Sequence, residues 1–151
     1  MGLRTMVTST TPRHRRGSGM AGFTLIELMV VVLIVAILGT IAYTSYANNV
    51  TATRRKAATA CLIEQGQFME RYYTTRMTYV DANPALGCET ELAQFYQFST
   101  PGAANTTQTT YTITATPQGV QATRDTKCGT LGINQVGSKT KTGSGTVADC
   151  W

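Results

Sequence analysis

The chain has 151 residues, with thirteen Lys and Arg against eight Asp and Glu, for a formal charge of +5. That length suits one domain. Four of the cations, Arg4, Arg13, Arg15 and Arg16, precede Phe23 and leave nine against eight, about +1, so the remainder has little general attraction for nucleic acid. The single histidine, His14, also precedes Phe23, which removes the commonest general base and metal ligand from everything after it. No Ser- or Gly-centred catalytic motif is present, and Asp81, Glu89, Glu91 and Asp125 are scattered without metal-ligand spacing. An enzyme is disfavoured, and no cofactor or metal is expected.

After the basic stretch of residues 1–22, the sequence Gly22-Phe23-Thr24-Leu25-Ile26-Glu27-Leu28 opens a run that stays almost wholly apolar to Tyr43, broken by one carboxylate, Glu27. An unpaired carboxylate at the centre of a membrane helix costs roughly 2.5–3.5 kcal/mol. Glu27 therefore needs a partner and is a functional candidate. At about 1.5 Å per residue, residues 23–46 are long enough to cross a bilayer with the arginine-rich end inside. An ordinary secretory signal peptide is the plain alternative, with Ser45-Tyr46-Ala47 as its small-x-small cleavage site. Against it stand the length of the stretch from Leu28 to Tyr43, the presence of Glu27, and a helical pattern that continues past Ala47.

No proline occurs between Phe23 and Tyr73. Ala58, Cys61, Leu62, Gln65, Met69 and Tyr72 recur three or four apart and form one face, with Arg54, Arg55, Glu64, Gln67, Glu70 and Arg71 elsewhere around the axis. The spacing predicts one helix of roughly 75 Å at 1.5 Å per residue, apolar all round first and then amphipathic. Gly66 costs about 1 kcal/mol of propensity without stopping it. The helix is expected to end within Glu70–Thr75, and Met77 to Gly87 reads as loop with a turn at Asn83-Pro84. Phe95 to Phe98 is a strand candidate. After Pro101, the run Thr106 to Thr116 places Tyr111, Ile113 and Ala115 on alternate positions, the pattern of a half-buried strand. Pro117-Gln118-Gly119 reads as a turn, Val120 to Lys127 as a strand, and Gly129 to Val136 as another with Leu131 and Ile133 inward. The Gly/Ser/Thr/Lys stretch from Gly137 to Thr146 reads as flexible.

Cys61, Cys88, Cys128 and Cys150 all follow the apolar run and include no C-x-x-C pair. An exported, oxidised domain with two disulfides fits better than a zinc or thioredoxin-like site. Three pairings are open. The preferred one joins nearest neighbours, Cys61–Cys88 and Cys128–Cys150, and closing the second loop contributes on the order of 3 kcal/mol.

The basic leader, Gly22, Phe23 and Glu27 resemble the N-terminal signature of type IV prepilins, with residue types, order and spacing agreeing over more than twenty positions. The frame Cys128-Gly-Thr-Leu, Asn134-Gln, then Asp149-Cys-Trp, preceded by Tyr111-Thr-Ile-Thr-Ala-Thr-Pro, resembles PilE-type minor pilins of Gram-negative bacteria. The resemblance implies an α+β pilin fold: a long N-terminal helix supporting a small antiparallel sheet, with a disulfide-bounded C-terminal loop. Its divisions would be a cleaved leader (1–22), a transmembrane and filament-core helix (23–46), an amphipathic helix half (47–74) and a head (75–151). A leader of 22 residues is long for the short-leader class, which points to a translation start such as Met6. Many pilins carry glycine and proline where this chain has Ala36 and Thr44, which leaves Gly39-Thr40 as the weaker point of the segment.

By the same resemblance, a prepilin peptidase cuts between Gly22 and Phe23 and N-methylates Phe23, and Glu27 pairs with the Phe23 ammonium of a neighbour. The implied function is a structural subunit, minor more than major, of a type IV pilus serving twitching motility, adhesion and pilus assembly. Its partners would be other pilin subunits, the peptidase, the inner-membrane assembly machinery and, before assembly, the membrane. The prepilin would sit in the inner membrane with its head periplasmic, then in the extracellular pilus. Two alternatives are a secretion-system pseudopilin, which the disulfide-bounded tail disfavours, and a DNA-binding pilin for natural transformation. The latter would use Arg71, Arg76, Arg124, Lys127, Lys139 and Lys141, but solvated surface charge is the preferred reading of those residues. Trp151 is read as packing over the loop edge in preference to an adhesive aromatic.

Overall fold

In a computed structural model of the chain, residues 22–99 and 105–151 are described. The leader expected over residues 1–22, with its arginines and His14, lies outside the described residues except for Gly22, and so does Pro101. Contacts divide the chain into two units, Met1–Leu38 and Gly39–Trp151. Helix α1 spans Leu25–Arg76, 52 residues. Gly39 does not interrupt it, and Thr44 returns its hydroxyl to the Thr40 carbonyl at 3.0 Å, a kind of bond that slightly weakens a helix but does not end this one.

In the first unit, every large apolar side chain from Leu25 to Leu38 is at least 48% exposed. Among the described residues, α1 is the one helix long and apolar enough to cross a bilayer.

In the second unit α1 is one-sided. Ala58, Leu62, Gln65 and Met69 are fully buried and Cys61 nearly so, and Tyr72 packs partly buried against the same core. The helix ends at Arg76, just beyond the expected stop. Then follow α2 (Gly87–Leu92), β1 (Tyr96–Phe98), β2 (Thr112–Pro117), α3 (Gly119–Arg124), β3 (Leu131–Asn134), β4 (Lys139–Lys141) and α4 (Val147–Cys150). The four strands form one antiparallel sheet in the order β1-β2-β3-β4. Register sets Phe98 opposite Ala115, Ile113 opposite Ile133 and Leu131 opposite Lys141. Tyr111, Ile113 and Ala115 all point inward, and with Tyr96 and Leu131 they form the core that covers the buried stripe of α1. Gly66 matters to that packing: a Cβ there would stand 3.3 Å from the Tyr111 hydroxyl, so the missing side chain lets the tyrosine reach the helix.

Two expectations need correction. Val120 to Lys127 is not a strand, because its first part is α3. Gln121 and Asp125, four residues apart, are both buried, and one helical turn brings them close enough for the 3.2 Å hydrogen bond between them, where an extended chain would hold them about 13 Å apart. The stretch read as flexible contains β4, whose backbone pairs with β3. The Gly and Ser composition signalled mobility, yet the closed loop carries the segment onto a sheet edge. Helix α2, at the end of the expected loop, was not foreseen in Gly87-Cys-Glu-Thr-Glu-Leu. Six residues are too few to show a helical period.

Candidate functional site

Two regions carry the sequence-derived candidates. At the start of α1, the Thr24 hydroxyl accepts the Glu27 amide at 3.2 Å, and the Thr24 carbonyl accepts the Leu28 amide at 3.2 Å. Thr24 is thus the N-cap, and Thr24-x-x-Glu27 has the residues of a capping box. That role was not singled out in the sequence, although the four-residue pattern was there to find. Glu27 lies in the first helical turn, where the positive end of the helix dipole favours a carboxylate. Phe23 is 81% exposed. Among the described residues no Lys or Arg forms an ion pair with Glu27.

The second region is the C-terminal loop. Cys128 and Cys150 are joined with Cα atoms 5.5 Å apart, as are Cys61 and Cys88 at 5.8 Å. Inside the loop, backbone amides of Gly143 and Gly145 donate to the carbonyls of Cys128 and Lys127 at 2.9 and 2.7 Å. A Cβ on Gly143 would collide with the Lys127 carbonyl, so only glycine permits that approach. Helix α4 is capped reciprocally: the Asp149 amide donates to the Thr146 hydroxyl, and the Asp149 carboxylate accepts from the Thr146 hydroxyl and amide. These Thr146 hydrogen bonds, with Lys127 at 3.4 Å, hold the Asp149 carboxyl below its ordinary range. The Trp151 indole donates to the Thr140 carbonyl at 3.1 Å, and Lys139 stands 5.1 Å from its ring.

The candidate cations separate into groups. Lys127, Lys139 and Lys141 all belong to or border the C-terminal loop, with Lys139 and Lys141 two apart on β4 and so on one face of it. Arg71 and Arg76 lie in the last turns of α1, and Arg124 ends α3. The acids do not gather either. Glu89 accepts from buried Gln65 at 2.6 Å. Asp125 accepts from Arg55 at 2.5 Å, from the Tyr96 hydroxyl at 3.1 Å and from Gln121 at 3.2 Å, while Gln121 also donates to the Thr51 carbonyl of α1 at 3.0 Å. Burial, followed by the nearby Asp125 charge, pushes the Tyr96 hydroxyl well above its ordinary value. Among the described residues no cluster of three His, Cys, Asp or Glu could hold a metal ion.

Comparison with known families bears on both regions. A family model described as the prokaryotic N-terminal methylation motif matches residues 18–43. A second, described as "Type IV minor pilin ComP, DNA uptake sequence receptor", matches residues 44–132. The chain belongs to this family of type IV minor pilins. Its structure is similar to a type IV pilin from Shewanella oneidensis at 26% identity and a TM-score of 0.50, covering 67% of this chain and 97% of that one. It also matches the non-core minor pilin PilV of Neisseria meningitidis at 20% identity and a TM-score of 0.47, covering 64% and 90% respectively. No curated protein matches in sequence. The family models and the Shewanella pilin show the pilin fold and the minor-pilin class expected from the sequence.

Proposed function

We propose that this minor pilin is made with residues 1–22 as a cytoplasmic leader, held in the inner membrane by residues 23–46, and built into a type IV pilus after processing. A prepilin peptidase cuts between Gly22 and Phe23 and methylates the new Phe23 amine. Residues 47–74 and the head, 75–151, lie in the periplasm first and on the filament surface afterwards, where the pilus serves twitching, adhesion and assembly. The observation that carries this reading is the bare apolar surface from Leu25 to Leu38. A patch that size requires cover, and lipid followed by sister helices supplies it. Within a filament core, Glu27 pairs with the Phe23 ammonium of a neighbour, because either charge left alone there costs several kcal/mol.

Replacing Glu27 by Val strands that ammonium while leaving the Gly22 cleavage site intact. In cells that also make the wild-type chain, Glu27→Val protein is expected to be cleaved but to stay in the membrane fraction, with its share in sheared pili reduced about tenfold or more. Undiminished incorporation would remove the charge pair from assembly and leave packing alone as the driver.

The family description favours a second duty, reception of DNA, which the near-neutral charge after Phe23 argues against for the molecule as a whole. The loop lysines Lys127, Lys139 and Lys141 offer local cationic groups, with Lys139 beside Trp151 and Lys127 paired to Asp149. Each lysine that neutralises a phosphate adds about 0.9 to the slope of log K against log salt on duplex DNA. Replacing all three by Gln is expected to flatten that slope by about 2 to 3. An unchanged slope places DNA elsewhere or nowhere on the head.

A further inference from the structure

A groove of about 330 Å³ lies along α1 in the second unit, and its lining includes Tyr43, Tyr46 and Arg54 of that helix, Phe95, and Val120 and Arg124 of α3. Tyr43, Tyr46 and Arg54 follow the three- and four-residue steps of one helix face. The Arg54 guanidinium carbon stands 3.7 Å above the centre of the Phe95 ring, so stacking fixes the plane of the group and leaves its N–H edge for an anion. Among the described residues no carboxylate lines the groove. The acid next to Arg124 in sequence, Asp125, is only 2% exposed and is engaged by Arg55 and Tyr96. Around the two cations the surface is apolar or aromatic and open: Tyr43, Tyr46 and Val120 are 66%, 70% and 56% exposed.

We infer that this groove takes the phosphodiester headgroup of an anionic phospholipid, with the two tyrosines as an interfacial anchor and Arg54 and Arg124 as the phosphate contacts. The inference rests on the membrane-held prepilin stage proposed above. The place of the two tyrosines favours lipid over other polyanions. Tyr43 follows directly on the apolar run, where aromatic side chains with a polar tip settle at the membrane surface. Arg54 stands about 16 Å further along the helix axis, beyond the roughly 5–8 Å headgroup layer of one leaflet. Contact therefore needs a tilted helix and arginines that reach back toward the bilayer.

The test uses the full chain in micelles to which phosphatidylglycerol or phosphatidylcholine is added, with native mass spectrometry reporting the lipids retained. Phosphatidylglycerol should be retained preferentially, and each of Arg54→Gln and Arg124→Gln should weaken it about fivefold. The pair Lys139→Gln and Lys141→Gln should leave retention unchanged. Because Arg54 packs on Phe95, circular dichroism checks its variant, and exposed Arg124→Gln carries the test alone if that variant unfolds. Equal retention of the two lipids overturns the inference, as does wild-type retention by Arg124→Gln. Loss of duplex DNA binding with lipid retention intact would also overturn it and make the groove a DNA site. Flotation with pure phosphatidylcholine vesicles separates the two readings. A chain that floats without preferring phosphatidylglycerol sinks only the headgroup site, whereas one that fails to float sinks the membrane stage with it.

Discussion

Asp125 illustrates how one residue can be misjudged from its neighbours in sequence. Among the scattered acids it has no special context, because its partner Arg55 lies 70 residues away. In the fold it is 2% exposed and collects Arg55, Tyr96 and Gln121, tying α3 and β1 to α1. Removing one member of a buried ion pair is costly because the other stays desolvated and unpaired, typically by about 3–5 kcal/mol. Asp125→Asn keeps the shape and strips the charge from beside Arg55. It should lower the unfolding free energy of the head by about 3 kcal/mol, read from the urea midpoint at unchanged m-value. A midpoint equal to wild type would mean that Arg55, whose side chain is 16% exposed, escapes to water. Glu27 was the opposite case. Its isolation within an apolar run made it conspicuous in sequence, while its cap Thr24, an ordinary residue on its own, gains meaning only through the three-residue step to Glu27.

Among the elements, α4 is four residues held by the reciprocal Thr146–Asp149 cap, and its dependence on pH has a definite sign. The folded state holds the Asp149 carboxyl below its ordinary range, so the stabilisation is complete above the unfolded value of about 3.9. It disappears as pH falls through the lower folded value. Trp151, the only tryptophan, follows directly on α4 and reports on it. Its emission should shift on acidification below about pH 4, whereas Asp149→Asn should show the shifted emission already at neutral pH and no acid transition. The strands and helices differ in how plainly the sequence announces them. β2 was legible because Tyr111, Ile113 and Ala115 alternate in a β-branched run. The buried stripe of α1 was legible because it repeats over four turns. Helices α2 and α3 were not, since six residues cannot establish a period, and in α3 the deciding fact is the distant partner of Gln121 at Thr51. β4 was hidden because Gly and Ser around it describe the free chain, whereas its pairing comes from a loop closed at both ends. Of the pairings open to the cysteines, the fold contains Cys61–Cys88 and Cys128–Cys150.

At the scale of the whole molecule, the proposed duties fall on different stretches of chain: processing on Gly22 and Phe23, assembly on Glu27 and the apolar helix, and DNA reception on the C-terminal loop. The Cys128–Cys150 bond spans 22 residues and limits the unfolded chain by about 3 kcal/mol on the loop-closure account. It also holds Lys127, Lys139 and Lys141 in one region, through the Gly143 and Gly145 hydrogen bonds and the β3–β4 pairing. Replacing both cysteines by Ser leaves every N-terminal determinant untouched. The surviving chain is therefore expected to begin at Phe23 with one added methyl group by intact-mass measurement, as in wild type. Its head should unfold at lower urea by about 3 kcal/mol, and its retention of duplex DNA should fall together with the steepness of its salt dependence. Full DNA retention at the wild-type slope would show that the lysines need no closed loop to act together. A chain still carrying its leader would show that processing waits on a folded head, and the separation of duties along the sequence would then be lost.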